Sequence, residues 1–448
     1  MMRRILTIWL VAIAASLGWF LQGDAGTGVV REQPLLAEGL PIDRLHEVEI
    51  EYRDGRTMRL ERTGNRWKQT VPFAVGVDSY SVRQLATTAA ALRGLQGLEL
   101  SDSEDSRIES LGLGSPTARI TWRWDAGARS LALGNRTLAG KAWIALDGDD
   151  HAWLVDSSLH ARLFDIDPRL WRDGALFPDA GVETRSVGIE AGGQRLVLVR
   201  EPEGWMMEEP VRTRADAASI EDWLARLSRA RALGYLYDQP DDLVRFGLEP
   251  PVATIELRGR MDSDRTVMLL GDPLGVGSPD RYGMVVGSPS VLRISEDVQQ
   301  ALVPSAGMLV DPTGTSVIRE DVARVEIRRE GKGSDFVLER DFDAWKLTPE
   351  DMDSMPIPRM AVDGFLAQMT EARASEIAFT DYPAQLQEAL VILYGFDGLP
   401  LDTIRIIREP NGGRWALENG DDVLRVFSVE FSPLINVAQF VNDAGPQR

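Results

Sequence analysis

The side chains able to carry chemistry in this chain are few in kind. There is no cysteine, which removes thiolate metal sites, iron–sulfur ligation and a cysteine nucleophile. Only three histidines occur, His46, His151 and His160, so a multi-histidine metal centre is all but excluded and a Ser-His-Asp triad has few bases to draw on. Ser157 and Ser158 stand beside His160, but on a stretch that reads as a short surface helix, and no G-x-S-x-G elbow occurs. Gly112 and Gly114, and again Gly275 and Gly277, lack the lysine and the strand-turn-helix setting of a phosphate loop. With 69 Asp and Glu residues some carboxylates must lie close together, yet no pair is singled out as a hydrolytic dyad. The clusters at Asp102-Glu104-Asp105, Asp147-Asp149-Asp150, Asp262-Asp264 and Asp421-Asp422 lack calcium-loop spacing. They fall where chains turn, and read as solvated turns.

Tryptophan remains as a binding residue. Trp67, Trp205 and Trp345 recur at one position of a repeated pattern, which favours a place in the core, given the area an indole buries. Trp143, Trp153 and Trp171 have no counterparts and are the candidates for a binding surface in the first repeat. No catalytic residue, cofactor site or metal site is assigned.

The elements that hold these residues come in three copies spaced by about 140 residues, beginning near His46, Arg185 and Ala323. Each copy has an alternating strand (HEVEIE, RSVGIE, ARVEIR), a second strand ending in tryptophan, a proline (Pro72, Pro210, Pro349) and an amphipathic helix. The helix stripes are Val82, Leu85, Ala86, Ala89, Leu92; Ile220, Trp223, Leu224, Leu227; and Val362, Phe365, Leu366, Met369. Asp78 or Ser79 caps the first helix. Further strands follow: LGLGSPTARITW is matched by FGLEPPVATIEL and more loosely by YGFDGLPLDTIRI, then come RSLALG and TVMLLG. The reading is α+β, each repeat an antiparallel sheet with a packed helix. The expected organisation is 1–22 anchor, 23–41 linker, 42–178 and 179–315 as two repeats, and 316–448 as a third, degenerate one.

Ile5 to Leu21 is uncharged and apolar, at the lower limit for one transmembrane helix, and Arg3-Arg4 place its start in the cytoplasm. It reads as an uncleaved signal-anchor, with a cleaved signal peptide the alternative; either sends the remaining chain across the membrane. The net charge of −20 speaks against nucleic acid and against extended contact with anionic headgroups.

In the order Trp67, Pro72, Asp78, helix, Leu111-Gly112-Leu113, Pro116, Leu131-Ala132-Leu133-Gly134, repeated from Trp205 to Gly271, the chain resembles the domain-of-unknown-function 4340 family. The third copy departs, with Pro358 where the capping Asp should be and no LxLG. The resemblance implies a bacterial, membrane-anchored protein encoded near ABC-2 type transporters of the gliding-motility kind, and it carries over no catalytic residues. The expectation is a non-catalytic accessory or scaffold subunit at the inner membrane, its bulk periplasmic and its partners a permease or other envelope proteins. The alternatives are a periplasmic binding module for a lipid, glycan or peptide, and an enzyme using the abundant carboxylates.

Overall fold

The computed structural model describes residues 33–36, 40–100, 105–261, 264–331, 333–379, 386–409 and 413–442. The expected anchor, Ile5 to Leu21, and most of the expected linker lie outside them. Among the described residues no helix is long and apolar enough to cross a membrane.

In the first repeat, alternation along β1 (Leu45–Tyr52) and β2 (Thr57–Thr63) puts Val48, Ile50, Met58 and Leu60 on one face, all buried. Gly55, at φ +86°, supplies the left-handed turn between them. β3 (Arg66–Val71) and β4 (Val75–Val77) extend the meander. α1 (Ser79–Ala90) then starts at Asp78, whose carboxylate accepts from the N–H groups of Tyr80 and Ser81. Its buried stripe is Val82, Leu85, Ala86 and Ala89. The helix carries the chain to the opposite edge of the sheet, where β5 (Gln96–Glu99) lies. β6 (Ala118–Trp124), β7 (Gly127–Arg136), β8 (Lys141–Leu146) and β9 (His151–Asp156) fill the remainder, and α2 (Ser158–Phe164) follows. The order is β4-β3-β2-β1-β6-β7-β8-β9-β5, nine strands, every neighbour antiparallel.

The second sheet, between Ser186 and Ile294, and the third, between Arg324 and Val426, repeat this order strand for strand. The third repeat, read from sequence as degenerate, therefore has all nine strands. YGFDGLPLDTIRI does not lead into the counterpart of β6, the place its likeness to LGLGSPTARITW predicts. Tyr394 ends that strand (Gln387–Tyr394), and Pro400 opens the counterpart of β7 (Pro400–Arg408). A Gly-apolar-Pro string suits a hairpin turn as well as a loop before a strand, so the motif alone does not distinguish the two.

The helix stripes settle what matters for each core. Asp216 caps the second helix, whereas Pro358 gives the third no side-chain cap. A cap contributes about 1 kcal/mol. Four or five buried apolar side chains at roughly 1.5–3 kcal/mol each outweigh it, so the third helix forms without one.

The chain divides into two compact units, residues 1–173 and 174–448, the second of which contains both later sheets. In the first unit, β4 is bonded along its outer side by the chain that follows α2: the Asp78 N–H donates to Trp171 O at 2.8 Å and the Asp173 N–H to Gly76 O at 2.9 Å. In the second unit the Asp216 N–H donates to Leu309 O at 2.8 Å and the Asp311 N–H to Arg214 O at 3.0 Å. At the two outward positions of the third repeat stand Pro356 and Pro358.

Candidate binding surfaces

The three tryptophans peculiar to the first repeat are not gathered into one surface. Trp143 pairs with Leu154 and Ile144 with Trp153 across β8 and β9, so the two indoles project from opposite faces of the sheet. Trp153 lies over Gly94 and Gly97, which leave no room for a Cβ. Its Nε1–H donates to Asp149 at 2.8 Å, and its ring stacks on His151 with centroids 5.6 Å apart. Trp171 is buried in the core. Trp143 is half-buried on the far face. Trp67, Trp205 and Trp345 are all buried.

The paired motifs LGL and LxLG prove to be two halves of one contact. Gly112 and Gly247 adopt φ +74° and +63°, and the loops they turn lie on Gly134 and Gly271. A Cβ at Gly134 would run into the carbonyl oxygen of Leu111, and one at Gly271 into that of Phe246. The Asn135 N–H donates to that Leu111 carbonyl at 2.7 Å. These glycines permit close backbone approach and are spent on packing. Beneath this contact His160, only 1% exposed, donates from Nε2 to Gly134 O at 3.0 Å. Burial holds its imidazole below the ordinary value and so neutral.

Of the acidic turns, Asp147 pairs with Arg119 at 2.9 Å and Asp149 serves Trp153 and His151. Asp421 departs from the solvated reading. It pairs at 3.0 Å with Arg425, which is fully buried, and accepts from Thr213 Oγ1 at 2.6 Å. Arg425 also donates to Thr213 Oγ1 at 3.1 Å and to Asp311 O at 2.9 Å. Burial pushes the Asp421 carboxyl up, but the Arg425 hydrogen bond and charge and the Thr213 hydroxyl outweigh it and hold it below the usual range. Arg214, beside Asp311, is lowered chiefly by burial. This network ties the second repeat to the third inside one unit. Its members lie about 210 residues apart in sequence, which no local pattern reveals.

Two recurrent constellations escaped the sequence reading. An arginine five residues before each core tryptophan sits directly opposite it: Arg62 with Trp67, Arg200 with Trp205, Arg340 with Trp345. The Arg200 guanidinium stands 4.8 Å from the Trp205 ring centroid. Arg62 donates to Asp43 O at 2.8 Å and Arg340 to Glu320 O at 3.3 Å. The threefold R-x4-W spacing was the available signal. On the outward face of each sheet one glutamate is clamped by two arginines. Glu49 takes Arg59 at 2.6 Å and Arg123 at 2.9 Å, and their hydrogen bonds hold it below the usual carboxylate range. Glu256 takes Arg265 at 2.6 Å and Arg258 at 2.5 Å, and is held at about 2. Glu326 takes Arg328 at 2.7 Å and Arg324 at 3.1 Å; burial opposes ionisation there, but the bonds from Arg328 and Tyr394 outweigh it. In the second repeat Gly188 occupies the position of Glu49, and the glutamate moves to the residue paired with it. Partly exposed pairs of this kind contribute about 0–1 kcal/mol, so their role is to fix register.

Open clefts accompany these features. One of about 250 Å³ lies over Trp67 with Arg62 and Arg83 at its sides, and one of about 260 Å³ over Trp345 with Arg340 and Arg359. A larger one of about 830 Å³ runs along the second repeat, over Ile189, Leu196, Val303 and Phe379, with Arg195 and Glu209 at its rim. Among the described residues no three His, Asp or Glu side chains are grouped to hold a metal ion.

Fold and surfaces together define a class: an α+β protein of three tandem nine-stranded antiparallel units, its repeated motifs used for packing and register. The profile of the domain of unknown function DUF4340 matches residues 67–243 and 205–389, and the chain belongs to that family. No curated protein matches it significantly. Among solved structures it has a weak likeness to the DNA polymerase III subunit beta DnaN sliding clamp from Bartonella birtlesii, at 9% identity and TM-score 0.12, covering 86% of this chain and 93% of that one. DNA polymerase III subunit beta from Borrelia burgdorferi is similar at 6% identity and TM-score 0.12, over 86% and 90%. Likenesses at these scores carry no argument.

Proposed function

We propose that the chain is a non-catalytic, membrane-anchored envelope protein that serves as an accessory or scaffold subunit of an ABC-type transport system. The observation that carries this reading is that the residues repeated in every copy are spent on cores, turns and register. What remains for function is surface, held behind an apolar run with two arginines before it. A single anchor raises the effective concentration of the repeats at an integral partner, so modest interfaces suffice. Orientation follows from Arg3-Arg4, with the N-terminus cytoplasmic and the bulk periplasmic. Detergent extraction and pull-down of the full chain should recover a permease; recovery of no envelope protein from intact membranes would sink the reading.

A second reading, a binding module for a lipid, glycan or peptide, is favoured by the open cleft of about 830 Å³ on the second repeat, whose floor is apolar. A fluorescent fatty acid titrated into the protein distinguishes it. Saturable binding abolished by Val303→Arg, with the melting temperature unchanged, supports the module, and binding unchanged by that substitution, or absent, removes it.

A further inference from the structure

The third repeat differs from the other two at one end of its sheet. Two hairpins turn there: Asp341-Phe342-Asp343, and Gly395 to Leu399. The strand Arg324–Arg329 begins between them, since Arg324 pairs with Glu339 on one side and Tyr394 on the other. The facing strands of the two hairpins are therefore two strand spacings, roughly 10 Å, apart. Phe342 is 91% exposed, Phe396 70% and Leu399 63%. The counterpart turns hold Gly64-Asn65 and Asp125-Ala126 in the first repeat and Pro202-Glu203 in the second, whose other turn, after Arg258, exposes the single apolar Met261 beside Arg260 and holds no aromatic residue. Phe342 also sits at φ +55°, where its counterpart Gly64 has φ +60°. A bulky aromatic residue thus occupies a backbone position suited to glycine, and points into solvent while doing so. Packing explains neither feature, because nothing in the core gains from them.

The charge around the tips chooses the occupant. Lys346 is paired with Asp341 and Asp402 accepts from Thr315 and Asn419, which leaves Asp343 and Asp397 as the charges carried by the two turns themselves. Behind them Arg340 is engaged, stacked 5.5 Å from the Phe396 centroid and bonded to Glu320 O. Loops that enter an anionic bilayer carry cations beside their apolar residues, and these carry carboxylates. We propose that the two tips form a docking surface for a second protein, whose matching area is an apolar pocket rimmed by lysine or arginine. The inference rests on the scaffold reading and names the surface that serves it. Two phenylalanines bury roughly 300–500 Å² when seated, the size of a central anchor pair rather than a whole interface.

The test uses the full-length chain in its native membranes, with the photo-crosslinker benzoylphenylalanine placed at position 342 or 396 and, as controls, at 65 and 203 within the turns that correspond to the first tip. The expected result is an adduct from 342 and 396 alone, to one other protein, mapping to a peptide where apolar residues adjoin Lys or Arg. Adducts to lipid or to a second copy of this chain, adducts of equal yield at 65 and 203, or no adduct at all overturn the proposal. The double variant Phe342→Ser/Phe396→Ser, with melting temperature unchanged, should lower partner recovery at least tenfold, and Asp343→Lys/Asp397→Lys should do the same. A permease recovered equally by wild type and both double variants ends the tip proposal and leaves the scaffold reading standing. Failure of the wild type to recover any partner, with adducts still formed at 342 and 396, instead ends the transport reading and keeps the tips.

Discussion

The second repeat seats Phe246-Gly247-Leu248 on Gly271, while the third puts Ile407 at the position of Gly271 and, among its described residues, has no segment in that place. Ile407 is buried, packed instead with Ala416, Leu424 and Val426. The two halves of the motif leave together, as two sides of one contact should. The same pair of repeats differs at the outer strand edge. Arg214 and Asp216 offer a carbonyl and an N–H that the following chain takes up, whereas Pro356 and Pro358 have no N–H to offer. Proline on an outward edge blocks strand addition, so the last sheet is finished where the earlier ones are continued. A third difference lies in one lattice position, next to the last edge strand, filled by Leu292 in the second repeat and Arg425 in the third. Repeats of one topology are thus individualised where they meet a neighbour.

That comparison breaks most readily at Arg425. Arg425→Leu installs the residue of the second repeat, yet leaves Asp421 and Thr213 without their cation; a loss of about 3–5 kcal/mol is expected in urea melting. Adding Asp421→Leu should recover part of it, and a single-variant loss below about 1 kcal/mol would mean that the network is not holding the unit together. Next in size, Ile407→Ala should cost about 2–5 kcal/mol as a cavity. Gly271→Ala should cost about 1–3 kcal/mol, because the added carbon meets the Phe246 carbonyl. If the order of these two is reversed, the contact is tighter than the core it replaces. Pro358→Asp should instead stabilise by about 1 kcal/mol by restoring the cap of the other two helices. Combined with Pro356→Arg it should promote self-association, seen by sedimentation; a monomer at all concentrations would show that the prolines are not guarding the edge.

Most of the repeat was legible because local patterns specify it. Alternation in HEVEIE and ARVEIR gave strand and buried face, and the offsets from Val82 to Ala89 gave the helix and its stripe. The R-x4-W spacing is equally local, and gains its meaning only from the register that sets each arginine opposite its indole. What could not be read was non-local. Asp421 looks like any hairpin acid until Thr213 arrives from another repeat, and opposite-face placement of Trp143 and Trp153 depends on a register that two indoles ten residues apart do not fix. Glu256 was illegible for a subtler reason. The clamp is kept in space while its glutamate changes strand, so an alignment of the copies sees a glycine, Gly188, where the function of the position has moved across the pair.

The smallest expected effect separates the first repeat from the others by acid. All three histidines lie in it, and His160 is buried with its imidazole held below the ordinary 6.5. The unfolded chain takes up that proton first, so the stability of the first repeat is complete above pH 6.5 and falls as pH drops below it toward the folded value. The groups facing His160 adjust this little: the Gly134 carbonyl and Asp165 favour the proton and Arg136 opposes it, with burial ahead of all three. In the second repeat the lowered groups are the carboxyls of Asp216 and Glu256; Glu256 is held at about 2 against 4.5, so its contribution is present above pH 4.5 and is lost between there and about pH 2. Between pH 6.5 and 5 only the first repeat should respond. Hydrogen exchange on the full chain should then show protection falling first in β7 and α2, with the strands Ser186–Ala191 and Arg324–Arg329 unchanged, and His160→Leu should abolish the difference. Equal loss in all three sheets at pH 5.5, or a response that persists in the His160→Leu chain, would show that the buried imidazole is not what sets the repeats apart.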